Sequence, residues 1–168
     1  HLAGMVWDDT LIVAIPFLLQ MGEYTGEARY LDEAVFQVQR HAAHLQDGGA
    51  GLYHHAWSEP ANGYSGPSYW GRGNGWALWA QAEVLAALPP SDARYGTLLS
   101  AFNRQANALV LVQEETGMWR TVVTRSDFYA ETSATALIAA GLLTTGANGQ
   151  VDGAAAKAAT SAELAAWR

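Results

Sequence analysis

The chain has 168 residues, half of them apolar and 15% charged, with a net charge of −7. That is one domain's length with material for a real core, which excludes a disordered segment. Nine Lys plus Arg without a basic cluster exclude an ordinary nucleic-acid binder, and no apolar run reaches the ~18 residues that span a bilayer.

The lack of cysteine removes disulfide frameworks, Cys-ligated zinc and thiol catalysis. With no signal peptide in view, the expected location is the cytoplasm. The chain opens at His1 in mid-pattern and is read as a fragment or a processed chain.

Helical periodicity predicts three helix pairs. The first covers residues 10–22 and 27–45. Leu31, Ala34, Val35, Val38, Ala42 and Leu45 share one face of its second helix. Pro16 is expected to kink the first helix or to mark its true start. The second pair covers 76–88 and 93–113, divided by Pro89-Pro90-Ser91-Asp92, a stop followed by an N-cap. The third covers 131–143 and 154–167 around a Gly/Asn loop. Residues 150–168 form an Ala-rich tail without motifs, counted within a single domain 1–168.

The pairs repeat. Glu27-Ala28-Arg29-Tyr30 and Asp92-Ala93-Arg94-Tyr95 open the second helices of the first two pairs, and Gly51-Leu52-Tyr53 and Gly117-Met118-Trp119 follow those helices. Such spacing implies stacked units sharing one core. The expected fold class is all-α, an (α/α) toroid of helical hairpins holding three of six. An ordinary helical bundle is the alternative on periodicity alone. A half-ring would expose an apolar edge, so further chain or a second copy in a homodimer is expected to close it.

Chemistry concentrates in four segments. Trp7-Asp8-Asp9-Thr10 puts two carboxylates beside a Trp at a helix start, where they either cap the helix or supply an acid raised by burial. Tyr53-His54-His55-Ala56-Trp57 offers proton shuttling, hydrogen bonding or, with His41 and His44, a four-His zinc site of undefined geometry. In Trp70-Gly71-Arg72-Gly73-Asn74-Gly75-Trp76, glycines admit a close backbone approach while Arg72 between two Trp suits a sugar carboxylate. A tight helix-entry turn is the plainer reading. Glu131-Thr132-Ser133 places hydroxyls at a helix N-terminus, for an anion or for capping.

In this order the segments resemble the unsaturated rhamnogalacturonyl and glucuronyl hydrolases, six-hairpin glycosidases, over residues 5–143. The string Trp70-Gly71-Arg72-Gly73-Asn74-Gly75-Trp76 is the most specific piece, and the rhamnogalacturonyl branch fits best. The resemblance implies hydration of the C4=C5 double bond of a terminal unsaturated uronic acid, with release of its partner sugar. It makes Asp9 the acid/base and puts His55 near the glycosidic oxygen and water. Trp70, Arg72 and Trp76 would hold the substrate, an unsaturated uronyl oligosaccharide from pectin, with Asp8, Tyr53, His54, Trp57 and Ser133 as further contacts. No metal and no cofactor is needed, because proton transfer and electrostatic stabilisation suffice. Two other readings compete. One is a uronide-binding remnant or inactive fragment without turnover; the other is a sugar epimerase on the same toroid.

Overall fold

A computed structural model describes residues 3–66 and 68–147. Five helices carry most of this span: α1 (Asp9–Thr25), α2 (Ala28–Leu45), α3 (Gly71–Ala87), α4 (Tyr95–Leu111) and α5 (Thr132–Ala147). Three short strands, β1 (Met5–Trp7), β2 (Ala56–Ser58) and β3 (Gly63–Tyr64), form one antiparallel sheet in the order β1-β2-β3. The predicted helix at 154–167 and the Ala-rich tail lie outside the described residues.

The helices make two layers. α3 lies between α1 and α5, while α2 and α4 cover the other side. Composition sets this order. α2 has a single apolar face, where Ala34, Val35, Val38, His41 and Leu45 are buried. α3 buries residues on nearly every side, including Ala77, Leu78, Ala80, Ala82, Val84 and Leu85, as a helix apolar all round must. The core between the layers is built on Leu11, Ile15, Leu45, Leu78, Leu98, Phe102, Leu109, Trp119 and Ile138. Each such side chain contributes roughly 1.5–3 kcal/mol by leaving water.

α1 runs through Pro16 without a break, so that residue does not mark its start. α2 ends its predicted face differently, because His41 is buried and its Nδ1–H donates to the Gln37 carbonyl at 2.7 Å. Asp92 is not the N-cap of α4, a position that Arg94 takes without a side-chain cap bond; its Oδ1 accepts the Arg94 N–H at 2.8 Å in the turn before the helix. The largest departure is α3, which starts at Gly71, five residues before the predicted Trp76.

The repeat is structural. Gly51 and Gly117 both take left-handed φ angles, 75° and 86°, and each leads two residues on into a buried aromatic, Tyr53 or Trp119. The next inner helix brackets each aromatic through its fourth residue. Asn74 of α3 accepts the Tyr53 N–H at 2.8 Å and donates to the Tyr53 carbonyl at 2.9 Å. Thr135 of α5 accepts the Trp119 N–H at 3.0 Å. Asn74 is fully buried and its carbonyl also accepts from Gln105 at 2.9 Å. Asn74→Ala would leave both Tyr53 backbone groups unpaired in the core, so we expect it to cost about 3 kcal/mol in urea denaturation. A cost under about 1 kcal/mol would show that the bracket is dispensable.

Candidate active site

The sheet sets the first part of the site. β1 pairs with β2 in register Trp7↔Ala56, and the Asp8 N–H continues the pairing to the His55 carbonyl at 3.1 Å. His55 is thereby placed beside the start of α1. Its Nδ1 lies 2.6 Å from Asp8 Oδ1 and 3.6 Å from Asp9 Oδ2. The two carboxylates differ in access: the Asp8 side chain is 1% exposed and that of Asp9 is 43% exposed. Burial lifts the Asp8 carboxyl to about 6, with the His55 hydrogen bond opposing it. The bond to Asp8 in turn holds the imidazole above its ordinary range, against its own desolvation.

The start of α3 supplies the second part. Its three glycines are in the helix, and their missing side chains make room for protein. A Cβ at Gly71 would meet the Arg120 carbonyl, one at Gly73 would meet Asp8 Oδ2, and one at Gly75 would lie 2.7 Å from Leu137 Cβ. The close approach expected of this string is therefore made to Asp8 and α5. Arg72 reaches the start of α5, with its guanidinium 4.4 Å over the Trp70 ring.

The start of α5 supplies the third part. Glu131 Oε1 lies 2.6 Å from Arg72 Nη1 and accepts the Ser133 hydroxyl at 2.5 Å, while Arg72 also reaches Ser133 Oγ at 3.3 Å. Glu131 is 6% exposed, and its Oε2 has no hydrogen-bond partner. Sequence pattern alone leaves Glu131 among capping residues. Its signal is positional, because it directly precedes an inner helix, as Asp8 and Trp70 do. Trp7, His55, Trp70 and Trp76 join the parts as a continuous run of edge-to-face rings, with centroids 5.1, 4.9 and 5.0 Å apart.

The structure thus brings together Asp9, His55, Trp70, Arg72, Trp76 and Ser133. Four of the expected sugar contacts lie elsewhere. Asp8 is fully buried behind His55 and Gly73. Tyr53 is a core residue, 1% exposed, and burial raises its phenol. His54 is 5% exposed, turned away from its neighbour and stacked on Tyr64 at 3.5 Å, with Asp47 3.5 Å from its Nε2. Trp57 packs on His44 at 4.6 Å and does not join the cluster.

The four histidines do not form one metal centre, since His41, His44 and His54 each have the separate partners just named. Donor atoms of Asp8, Asp9 and His55 do fall within 4.8 Å of one another. There, however, Nδ1 and Oδ1 are at hydrogen-bond distance, the geometry of an acid–base pair. Two roomy cavities, about 610 Å³ between α2 and α4 and about 740 Å³ beside Trp79, are lined by other residues.

All three parts of the cluster meet at the N-terminal ends of α1, α3 and α5, whose helix dipoles favour an anion. No helix among the described residues is long and apolar enough to cross a membrane.

The family model for Glycosyl Hydrolase Family 88 matches residues 2–166. The unsaturated rhamnogalacturonyl hydrolase YesR of Bacillus subtilis is 35% identical over 140 residues, covering 83% of this chain and 41% of that protein. A solved possible member of the GH105 family from Salmonella enterica serovar Paratyphi A superposes with TM-score 0.90 at 31% identity, over 96% of this chain and 43% of that one. The unsaturated glucuronyl hydrolase of Bacillus sp. GL1 superposes with TM-score 0.74 at 25% identity, over 96% of this chain and 46% of that one. The chain spans less than half the length of each of these three. Its helical hairpins are accordingly part of an (α/α) toroid. With the match running across nearly every residue and the ends of three successive inner helices meeting at one acidic, Trp-lined cluster, this chain belongs to Glycosyl Hydrolase Family 88.

Proposed function

We propose that the protein hydrates the C4=C5 double bond of a terminal unsaturated galacturonic acid on rhamnogalacturonan-derived oligosaccharides, with Asp9 as the acid/base. The observation that carries this is the half-exposed Asp9 carboxylate beside His55, whose ring abuts Trp70 with Arg72 over it. Asp9 gives its proton to C4 while a water oxygen bonds to C5. One of the water's two protons passes to the Asp9 carboxylate, restoring the acid, and the other stays on the new C5 hydroxyl. The hemiketal so formed collapses and frees the partner sugar. Trp70 and Trp76 offer flat apolar faces to a sugar ring, and Arg72 with the helix ends suits the uronate. The relative named as an unsaturated rhamnogalacturonyl hydrolase supports the choice of sugar. On α1, Val13 and Phe17 are 74% and 59% exposed, which fits further helices or a second copy packing there.

The test is loss of the ultraviolet double-bond absorbance of an unsaturated galacturonyl-rhamnose disaccharide, beside its saturated counterpart. Absorbance loss with an untouched saturated sugar supports hydration. Cleavage of the saturated sugar would overturn it in favour of ordinary glycoside hydrolysis. Calorimetric binding without absorbance loss would favour a uronide-binding module.

Arg72→Lys keeps the charge but loses the planar fork that Glu131 and Trp70 hold. We expect KM to rise about tenfold with kcat little changed, the mark of lost uniform binding. An unchanged KM would remove Arg72 from substrate contact.

A further inference from the structure

We propose that Asp8 is a positioning residue for His55, a buried carboxyl that fixes the ring's orientation and keeps a proton on Nδ1, so that Nε2 is left for substrate or water.

Asp8 occupies the N-cap position of α1 yet makes no side-chain cap bond, and its backbone is already helical at φ −65°, ψ −23°. An Asp at that position ordinarily accepts a backbone N–H of its own helix. Here the carboxylate turns away and lies 2.6 Å from His55 Nδ1, and the Asp8 N–H donates to the His55 carbonyl at 3.1 Å. His55 is thus held at two points by one residue, its ring by the carboxylate and its backbone by the Asp8 N–H. Asp8 Oδ2 has no hydrogen-bond partner and occupies the space where a side chain at residue 73 would begin. The chain therefore leaves an acid in a fully buried position that neither caps a helix nor reaches solvent. Only the imidazole gains from it.

The surroundings limit what else tunes the pair. On α1 the facing charge is Asp9. α3 contributes Gly73 and the Trp70 ring, and β1 contributes the Trp7 ring, none of which is charged. Burial raises Asp8 and Asp8 raises His55, in the sense such a pair requires. A carboxylate on Nδ1 fixes the tautomer and steadies the imidazolium. Nε2, on the far side of the ring, then accepts or gives the proton of a bound water or glycosidic oxygen.

The role in turnover rests on the hydration reading, but the effect on the ring does not. The experiment is an NMR pH titration of the His55 ring nitrogens in the full chain, for parent, Asp8→Asn and Gly73→Ala. The parent is expected to titrate above an ordinary histidine and, when neutral, to carry its proton on Nδ1. Both variants should lower the midpoint and move the neutral ring toward the Nε2–H form. With an unsaturated uronide, Asp8→Asn should lower kcat by about 10²–10⁴-fold and leave KM nearly unchanged. Folding adds an independent sign. A carboxyl raised to about 6 stabilises the fold below the unfolded value of 3.8 and loses that as pH rises through about 6. The parent should therefore lose stability relative to Asp8→Asn across that interval. Gly73→Ala keeps the acid, so it carries the test if Asp8→Asn does not fold. An unchanged midpoint and tautomer in a folded variant overturns the proposal. A parent that titrates as expected but turns over no unsaturated uronide overturns only the hydration reading.

Discussion

Asp9→Asn should abolish hydration while leaving the protein folded and able to bind. Asn matches Asp in shape but can neither give a proton to C4 nor take one from water. General acid–base catalysis contributes about 10²–10⁴-fold, and here one residue serves both transfers, so we expect a loss of at least about 10³-fold in kcat. KM should stay within a few-fold, because Trp70, Arg72 and Trp76 are untouched. Stability should barely move. The Asp9 side chain is 43% exposed at the first turn of α1, so the change forfeits a charge–dipole interaction of about 0.3–1 kcal/mol at most. The measurement is the rate of absorbance loss at saturating disaccharide, with calorimetry for binding. Turnover within tenfold of the parent would remove Asp9 as the acid. The role could not pass to Asp8, whose carboxyl is buried beyond reach of a sugar.

Gly71→Ala should be the most damaging small substitution in the described chain. A Cβ there would fall on the Arg120 carbonyl and press on Ala134 at 3.2 Å. The obstacle is backbone, so it cannot swing aside. The Gly71 N–H bond to the Thr121 carbonyl, 2.8 Å, and the adjoining bridge of Trp70 to Val122 would have to open. Overpacking of this kind typically costs 1–3 kcal/mol, and because a backbone hydrogen bond opens as well we expect about 3 kcal/mol or more. Gly96→Ala is the control. It lies in α4 with nothing within 4 Å of the added atom, so it should be neutral or stabilise by up to about 1 kcal/mol. Urea midpoints decide it, and a Gly71→Ala cost below about 1 kcal/mol would mean that α3 and the 120–122 segment shift freely.

The helices with one wet face are legible in the sequence. The 3.6-residue spacing of Ala34, Val35, Val38 and Leu45 marks α2 nearly to the residue. The toroid and the family can be read from repeated marks and from the Trp-Gly-Arg-Gly-Asn-Gly-Trp string. The start of α3 cannot, because glycine signals a turn by its own propensity. Only tertiary crowding by Asp8, Arg120 and Leu137 makes it the residue a helix needs there. The sheet escapes notice because strands of two or three residues carry no period. Adjacency alone puts Tyr53, His54 and Asp8 in the site, yet side-chain direction separates His54 from His55. The Arg72–Glu131 pair spans 59 residues, a separation that local pattern cannot see.

The bracket residues carry a lesson for redesign. At the start of α3 and of α5, the fourth residue is structural, Asn74 or Thr135, while the second points at the cluster, Arg72 or Ser133. Framework and chemistry thus occupy separate slots of one short stretch, two residues apart. New specificity can be installed at the second slot while the fourth is kept, so a library built on positions 72 and 133 samples pocket chemistry without spending the variants on unfolded protein.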